Sequence, residues 1–337
     1  MKSLEMEILR HLHRDGPLGV NALATACDAS AAEVRRAIRR LESEQLVLAR
    51  DNRNAEPAIR IDASAIQIST PSFDFLDAER IRSELRSGTR ELNIEVVDSC
   101  PSTNSSLLEE SDVYRPRLLV TEEQTAGRGR RGRRWLSGLG NALTVSLRRE
   151  VHRPLRELPT LSLVAGVAAA RALCRFGADS VRLKWPNDLV VTEPGGDAKL
   201  GGILVETRQQ GLRVAAVIGI GINLRNSRKV QGTLRRRVIA LEQLIDPLPS
   251  RNQLVGALAN EFCEALDAFE ARGFASAQGE WETMHAHAGR RLRIRLAGGR
   301  VLAGIAEGLD EHGGLRLRTP RGLHAVHSGR VVNARAS

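Results

Sequence analysis

The chain has 337 residues, 42% hydrophobic and 27% charged, the make-up of a folded globular protein with room for two or three domains and at least one well-buried core. Its longest apolar run, Leu163 to Ala170, is far too short to cross a bilayer, and Met1 to Arg14 carries Glu5 and Glu7 without an apolar signal core, so neither a membrane partner nor secretion is expected. A net charge of +10 points to a polyanionic partner, while Cys27, Cys100, Cys174 and Cys263 stand apart with no C-x-x-C pair, which suits a reducing cytoplasm and argues against disulfides or structural zinc.

At the N-terminus, Leu4, Ile8, Leu9 and Leu12 recur at helical spacing, and Gly16-Pro17 ends that helix. A short second helix covers Val20 to Cys27. Ser30-Ala31-Ala32-Glu33 reads as a capping box opening a third helix, with Val34, Ile38 and Leu41 on one face and Arg35, Arg36, Arg39 and Arg40 on the other. Leu46–Ala49 and Ile59–Ile61 are expected to pair as a wing with Asp51–Pro57 at its tip, followed by a linker over Ser64–Phe73. Residues 1–65 thus have the layout of a winged helix-turn-helix whose third helix enters a DNA major groove, with Arg35, Arg36, Arg39 and Arg40 as the DNA-binding set. The alternative is a helical docking module whose arginines only solvate it.

Residues 72–286 read as mixed α/β, giving an α+β protein. Strands are expected at Ile94–Val97, Leu118–Thr121, Leu143–Leu147, Val181–Lys184, Ile203–Glu206 and Val214–Ile220, and helices at Ala78–Arg86, Ser105–Glu110, Leu158–Phe176 and Asn252–Arg272. In residues 287–337, Leu292, Ile294 and Leu296 alternate with arginines, as do Leu315 and Leu317, and Gly298-Gly299 and Gly313-Gly314 supply turns, so a small β-barrel is expected. His285-x-His287 and His324-x-x-His327 lack acidic or cysteine partners in sequence and read as surface histidines, so no metal site is expected.

The most informative stretch is Gly127-Arg128-Gly129-Arg130-Arg131-Gly132-Arg133-Arg134-Trp135. Its glycines let the backbone close around a ligand, and its arginines offer planar cations to phosphate and carboxylate oxygens. It is not a Walker A loop, because Arg133-Arg134 stands where Lys-Ser/Thr is required. Nor is it a dinucleotide fingerprint, because a turn-rich stretch and a strand follow it where a helix must open. A polyanion-binding loop between strands, or a basic nucleic-acid patch, remains. The patch is disfavoured because no aromatic residue interleaves the arginines as a stacking platform.

Four further segments accompany the loop: Ser102-Thr103-Asn104, Lys184-Trp185-Pro186-Asn187-Asp188, Lys199-Leu200-Gly201-Gly202-Ile203-Leu204-Val205-Glu206 and Gly219-Ile220-Gly221-Ile222-Asn223. Only Lys2, Lys184, Lys199 and Lys229 are lysines among 50 basic residues, and two of those four fall inside these segments. Each segment alone has a plain structural reading, the first as a helix cap and the last as a turn. Their joint occurrence in this order resembles the bifunctional biotin–protein ligases that also act as biotin operon repressors. The resemblance covers nearly the whole chain and implies a winged helix-turn-helix, a ligase core like that of class II synthetases and an SH3-like C-terminal barrel. Lipoate ligases share the core but not the Gly–Arg loop or the K-W-P-N-D wording.

The resemblance implies that ATP activates biotin to biotinyl-5′-AMP, with Mg2+ neutralising the phosphates. Biotin then passes to a lysine of a biotin carboxyl carrier protein, and a homodimer binds operator DNA. It places Ser102, Thr103, Asn104 and Gln124 in the biotin pocket, and Arg128, Gly129 and Arg130 in the loop over biotin and adenylate. Lys199 falls near the reacting carboxylate and α-phosphate, and Asp188 beside the incoming lysine. Gly127, Arg128, Arg130, Trp135, Lys184, Asn187, Gly202 and Asn223 fall around the nucleotide. Trp135 has the alternative of anchoring a hinge, and Lys184 of pairing with an acid.

Three departures stand out. Asp98-Ser99-Cys100-Pro101-Ser102-Thr103-Asn104 carries an extra Ser-Cys-Pro, the hairpin over Glu193–Asp197 is lengthened, and the expected wing lacks glycine and aromatic residues. Rival expectations are a regulator that binds biotinyl-AMP without ligase activity and a lipoate-type ligase.

Overall fold

The structure, a computed structural model, describes residues 3–44, 46–49, 65–68, 73–112, 115–225, 237–296 and 298–335. Helix α1 (Leu4–Asp15) buries Met6, Ile8, Leu9 and Leu12 and stops at Gly16, whose φ of 78° favours glycine. Strand β1 (Leu18–Gly19), helix α2 (Val20–Ala26) and helix α3 (Ala31–Ser43) follow. The capping box at the start of α3 is formed: the Glu33 amide donates to Ser30 Oγ at 3.2 Å and the Ser30 amide to the Glu33 carboxylate at 2.9 Å. Val34, Ala37, Ile38 and Leu41 of α3 join the apolar face of α1 in a core of their own.

Strand β3 (Ala65–Ile68) lies between β1 and β2 (Val47–Ala49) in an antiparallel sheet. This corrects the expected linker over Ser64–Phe73, since its first half supplies backbone partners to both neighbours, and a boundary at residue 65 cuts into a strand. The expected wing strand Ile59–Ile61 and wing tip Asp51–Pro57 lie outside the described residues.

The central sheet has, among the described residues, seven strands in the order β4-β5-β6-β10-β9-β8-β7. They are β4 (Asn93–Cys100), β5 (Arg117–Gln124), β6 (Ala142–Val151), β7 (Val181–Lys184), β8 (Asp188–Glu193), β9 (Gly196–Gln210) and β10 (Arg213–Asn223). Only the β4–β5 pair is parallel. Alternation along each strand decides which face a residue serves. Leu143, Val145 and Leu147 of β6 and Ile218, Ile220 and Ile222 of β10 point into the main core. Helices α6 (Leu161–Cys174) and α7 (Arg251–Arg272) pack on that face. Helix α6 is buried nearly all round, so its apolar run is that of a core helix.

The opposite face is only partly covered. Helix α5 (Thr103–Glu109) seals a small cluster of Leu107, Leu119 and Val217, and the rest of this face is left to the glycines and polar residues of β6, β9 and β10. Between α7 and the last sheet lies the short helix α8 (Gln278–Thr283). Helix α4 (Ala78–Ser83) stops three residues short of its expected end.

The C-terminal sheet has the order β14-β13-β12-β11-β15, all antiparallel. Its strands are β11 (Arg291–Arg295), β12 (Val301–Leu309), β13 (Leu315–Thr319), β14 (Gly322–Val326) and β15 (Arg330–Arg335). Leu292, Ile294, Leu315 and Leu317 face its core, and positive φ at Gly298, Gly299 and Gly313 makes the turns. Among the described residues no helix is long and apolar enough to cross a membrane.

Candidate active site

A cavity of about 610 Å3 opens on the partly covered sheet face, the size that takes a small-molecule ligand. One wall is polar. Ser102 caps α5 through the Ser105 amide, so the helix-cap reading of that residue holds, while Thr103 and Asn104 turn toward the sheet. Gln124, at the end of β5, accepts from the Thr103 amide at 2.8 Å. Ser146 Oγ lies 2.6 Å from both Thr103 Oγ1 and Asn104 Oδ1, and the Asn104 amide donates to Leu204 O and to Glu206, both at 3.0 Å. Ser146 was not anticipated. Its signal was available, because Thr144, Ser146 and Arg148 form the polar half of the alternation in β6.

The glycines of β9 and β10 make room for this wall. A Cβ on Gly219 would sit 2.1 Å from Asn104 Oδ1, and one on Gly221 only 2.4 Å from the Trp135 ring. A β-bulge opposite the Leu189/Val190 step leaves Leu200 unpaired, so that Lys199 and Gly202 come to the same face. Gly202 and Lys199 line the cavity, and Lys199 Nζ is ion-paired with Asp188 and stands 5.8 Å from the Trp135 ring centroid.

The arginine loop forms the lid. The Trp135 amide donates to Gly127 O at 2.9 Å, the Gly129 amide to Arg133 O at 2.7 Å, and Arg131 and Gly132 turn the tip at φ of 59° and 69°. Arg128 is held by Glu206 at 2.7 Å. Arg130 lines the cavity without an ion pair among the described residues. Burial pushes its pKa down, Arg131 and Arg133 add to this, and Asp188 opposes it. A half-buried cation without a counter-charge is a site for an anion. Arg131, Arg133 and Arg134 of the same loop also line the cavity, as does Arg330, which was not singled out from sequence. Gly127, buried under Trp135, and Asn223, whose amide donates to Lys199 O and Ile239 O at 3.2 Å, are not part of the lining. Asn223 instead fixes the backbone that carries Lys199.

The K-W-P-N-D segment divides its labour. Trp185 is buried and donates to Gly313 O of the C-terminal unit, and Asn187 is tied to Ile203 O at 2.7 Å. Lys184 borders the cavity and pairs with Asp197 at 2.9 Å, the acid-pairing alternative. The other partner of Asp197 is His287 Nε2 at 2.7 Å. Burial works to raise the pKa of Asp197, but hydrogen bonds from His287 and Lys184 outweigh it and hold the carboxyl well below its usual range. His285 and His287 are therefore not surface residues. They are 6% and 0% exposed, His285 against Trp281 and His287 against an acid 90 positions away in sequence that no local reading of spacing finds. His324 and His327 are exposed. The lengthened hairpin before Lys199 is clasped by Arg237, which donates to Glu193 at 2.6 Å and to Pro194 O at 2.8 Å.

A sheet-borne polar pocket beside an arginine lid and a paired lysine defines an enzyme that brings a small ligand together with an anion. Residues 94–223 match the Biotin/lipoate A/B protein ligase family, and residues 287–332 match the Biotin protein ligase C terminal domain. The Bifunctional ligase/repressor BirA of Salmonella typhimurium is 37% identical over 73% of this chain and 74% of its own length. The Biotin--[acetyl-CoA-carboxylase] ligase of Mycobacterium tuberculosis is 31% identical over 77% of this chain and 96% of its own. Among solved structures, the biotin protein ligase from Aquifex aeolicus in complex with biotin and ATP aligns with a TM-score of 0.60 at 27% identity, over 73% of this chain and 99% of that one. The chain belongs to the biotin protein ligase family and is a biotin–protein ligase.

Proposed function

We propose that the chain condenses biotin with ATP to biotinyl-5′-AMP and pyrophosphate, and then passes biotin to a lysine of a biotin carboxyl carrier protein. The observation that carries this reading is one cavity lined by Thr103, Asn104 and Gln124 on one side and by Arg130 and Lys199 on the other. Hydroxyls and amides suit a ureido ring, which has both donors and an acceptor. A carboxylate is already a nucleophile at neutral pH, and its difficulty is approaching a polyphosphate. Cations fixed beforehand at that meeting point are then the largest catalytic contribution.

Lys199, steered by Asp188, takes the oxygens of the reacting carboxylate and α-phosphate. Arg128 and Arg130 close over the product, with Gly129 permitting the close approach. Lys184, Asn187, Trp135 and Gly202 border the nucleotide, and Gly127 and Asn223 support it through the lid and the Lys199 backbone. Asp188 and Glu206 are each engaged by a cation, so the residues present do not make a metal cage. Mg2+ would therefore come with the nucleotide rather than be held by these residues, and would supply charge neutralisation. In the second half-reaction the acceptor amine attacks the acyl carbon, AMP leaves, and a proton is lost to solvent or to Asp188.

We read the N-terminal unit as a winged helix-turn-helix and the C-terminal sheet as an SH3-like barrel, with units near residues 1–68, 72–286 and 287–337. A repressor role is supported by the name of the Salmonella relative and by Arg35, Arg36 and Arg39, which are exposed and free of ion pairs among the described residues. Arg40 belongs elsewhere: it pairs with Glu5 at 3.1 Å and with Glu123 of the core. A twofold operator requires two copies of the chain, so a homodimer goes with this reading. Four free thiols fit a reducing cytoplasm.

The test is incubation with ATP, magnesium and biotin, following pyrophosphate release and then labelling of a biotin carboxyl carrier protein. Lys199→Ala should slow the first signal by on the order of 10²-fold. A near-normal rate would remove the role assigned to Lys199.

A further inference from the structure

Behind Lys184 lies a buried polar triad with no part in the chemistry proposed above. Lys184 ends β7 and borders the cavity, and its Nζ donates to Asp197 Oδ2 at 2.9 Å. His287 Nε2 stands 2.7 Å from the same oxygen, on the segment that leads into the C-terminal sheet. A carboxylate only accepts, so Nε2 carries the hydrogen. The triad grows drier away from the cavity, from 25% exposed at Lys184 to 8% at Asp197 and 0% at His287. His287 Nδ1 is buried without a hydrogen-bond partner, so Asp197 is the one group among the described residues that this ring holds. Backbone register brings the ring there. The Leu183 amide donates to Met284 O at 2.8 Å and the Ala286 amide to Leu183 O at 2.9 Å, so residues 284–286 run beside β7 and His287 arrives behind Lys184.

We propose that His287 is a positioning residue for adenylate formation: by fixing the Asp197 carboxylate it aims the Lys184 ammonium at the phosphates of the nucleotide. The proposal rests on the reading of Lys184 as a cation on the nucleotide side of the cavity. An ammonium on a flexible stem has no direction of its own. It carries several N–H donors, so one spent on Asp197 fixes the stem and leaves others to meet an anion. That works only if the acid is itself still, and the His287 bond stops the carboxylate from turning, at a point that water does not reach. His287 also donates to the very oxygen that holds Lys184. The charge of that oxygen is shared between two donors, so its grip on the ammonium is loose enough for a phosphate to join. A plain structural pin between the core and the last sheet is the alternative. Such a pin would affect both substrates alike and would act whether or not Lys184 were present.

The experiment uses the full chain and initial rates of biotin-dependent pyrophosphate release, with ATP and biotin varied in turn. His287→Leu should raise the KM for ATP about tenfold, the scale of one lost charge-assisted hydrogen bond, and leave the KM for biotin unchanged. His287→Gln, whose amide reaches as far as Nε2, should return the KM for ATP to near that of the unaltered chain. His287→Asn, whose amide stops short of Asp197, should behave like the Leu variant and takes its place if the Leu variant does not fold. Lys184→Met should raise the KM for ATP at least as much, and adding His287→Leu to it should change nothing further. An unchanged KM for ATP in the His287→Leu or His287→Asn variant overturns the proposal. So do equal rises for both substrates, and so does a double variant whose effects multiply, because His287 would then act without Lys184. A normal KM for ATP in Lys184→Met would remove Lys184 from the nucleotide side and the task of His287 with it. No pyrophosphate release by the unaltered chain would instead sink the adenylation reading, and this role along with it.

Discussion

At Gly219 there is no room for a methyl group, because Asn104 Oδ1 lies where a Cβ would be. Gly219→Ala must push Asn104 away from Ser146, Leu204 O and Glu206 together. Overpacking of this kind costs about 1–3 kcal/mol, and here the strain falls on the pocket wall. The expected outcome is a KM for biotin raised at least about tenfold with the KM for ATP little changed, read from initial rates of pyrophosphate release. Equal changes in both would place Asn104 outside the biotin subsite. His285 carries a different consequence. Burial and the neighbouring His287 push its pKa from 6.5 down to about 3, so it stays neutral in the fold. The unfolded chain takes up a proton below its ordinary pKa that the folded chain refuses, so stability is complete above that pKa and falls as pH drops toward the folded value. The slope is up to ~1.4 kcal/mol per pH unit for one such group. His285→Leu should therefore show a flatter dependence of urea-unfolding stability between about pH 6 and pH 4 than the unaltered chain. Identical slopes would mean that His285 is protonated in the folded state.

Helix α3 divides its arginines between water and the rest of the fold. Arg35, Arg36 and Arg39 point to water, whereas Arg40 turns to Glu5 and Glu123. Arg36→Ala with Arg39→Ala should weaken binding to operator DNA and reduce its salt dependence by about two counterions, leaving ligation unaltered. An unchanged salt slope would remove α3 from the DNA interface. The sequence made α3 legible because its cap, apolar stripe and length all agree, but it could not separate Arg40 from its neighbours, since Glu123 lies 83 positions away. The same division runs through the core. The strands β6 and β10 were expected over Leu143–Leu147 and Val214–Ile220, and residues of the glycine-rich motifs line the cavity. Strand β8 was missed because Asp188–Glu193 has no clean alternation. The bulge at Leu200 was invisible because it depends on the register with β8 rather than on any residue type. His285 and His287 were misjudged for the same reason, their neighbours being tertiary.

Across the whole molecule, the N-terminal unit grips both roots of the lid. Arg10 donates to Asp98 of β4 at 3.0 Å, Arg40 meets Glu123 one residue before Gln124, and buried Glu44 accepts from Asn141 Nδ2 at 2.9 Å where the lid re-enters β6. Unpairing a buried amide costs about 1–3 kcal/mol. Glu44→Ala should accordingly lower the melting temperature by several degrees and raise the KM for biotin, because the segment between Gln124 and Asn141 loses its anchor. A variant with normal melting and normal KM would show that the two units act independently.

The lid's composition has one more implication, which concerns what the enzyme must not do to itself. A mixed anhydride acylates any free amine that reaches it, and a guanidinium, its lone pairs delocalised, is a poor target. Every cation of the lid between Gly127 and Trp135 is arginine. The two lysines that line the cavity, Lys184 and Lys199, are locked to Asp197 and Asp188, and an ammonium in an ion pair offers no lone pair for attack. In the proposed reaction the intermediate would thus be surrounded by positive charge that cannot consume it, and the first free amine it would meet is the one a partner protein brings in.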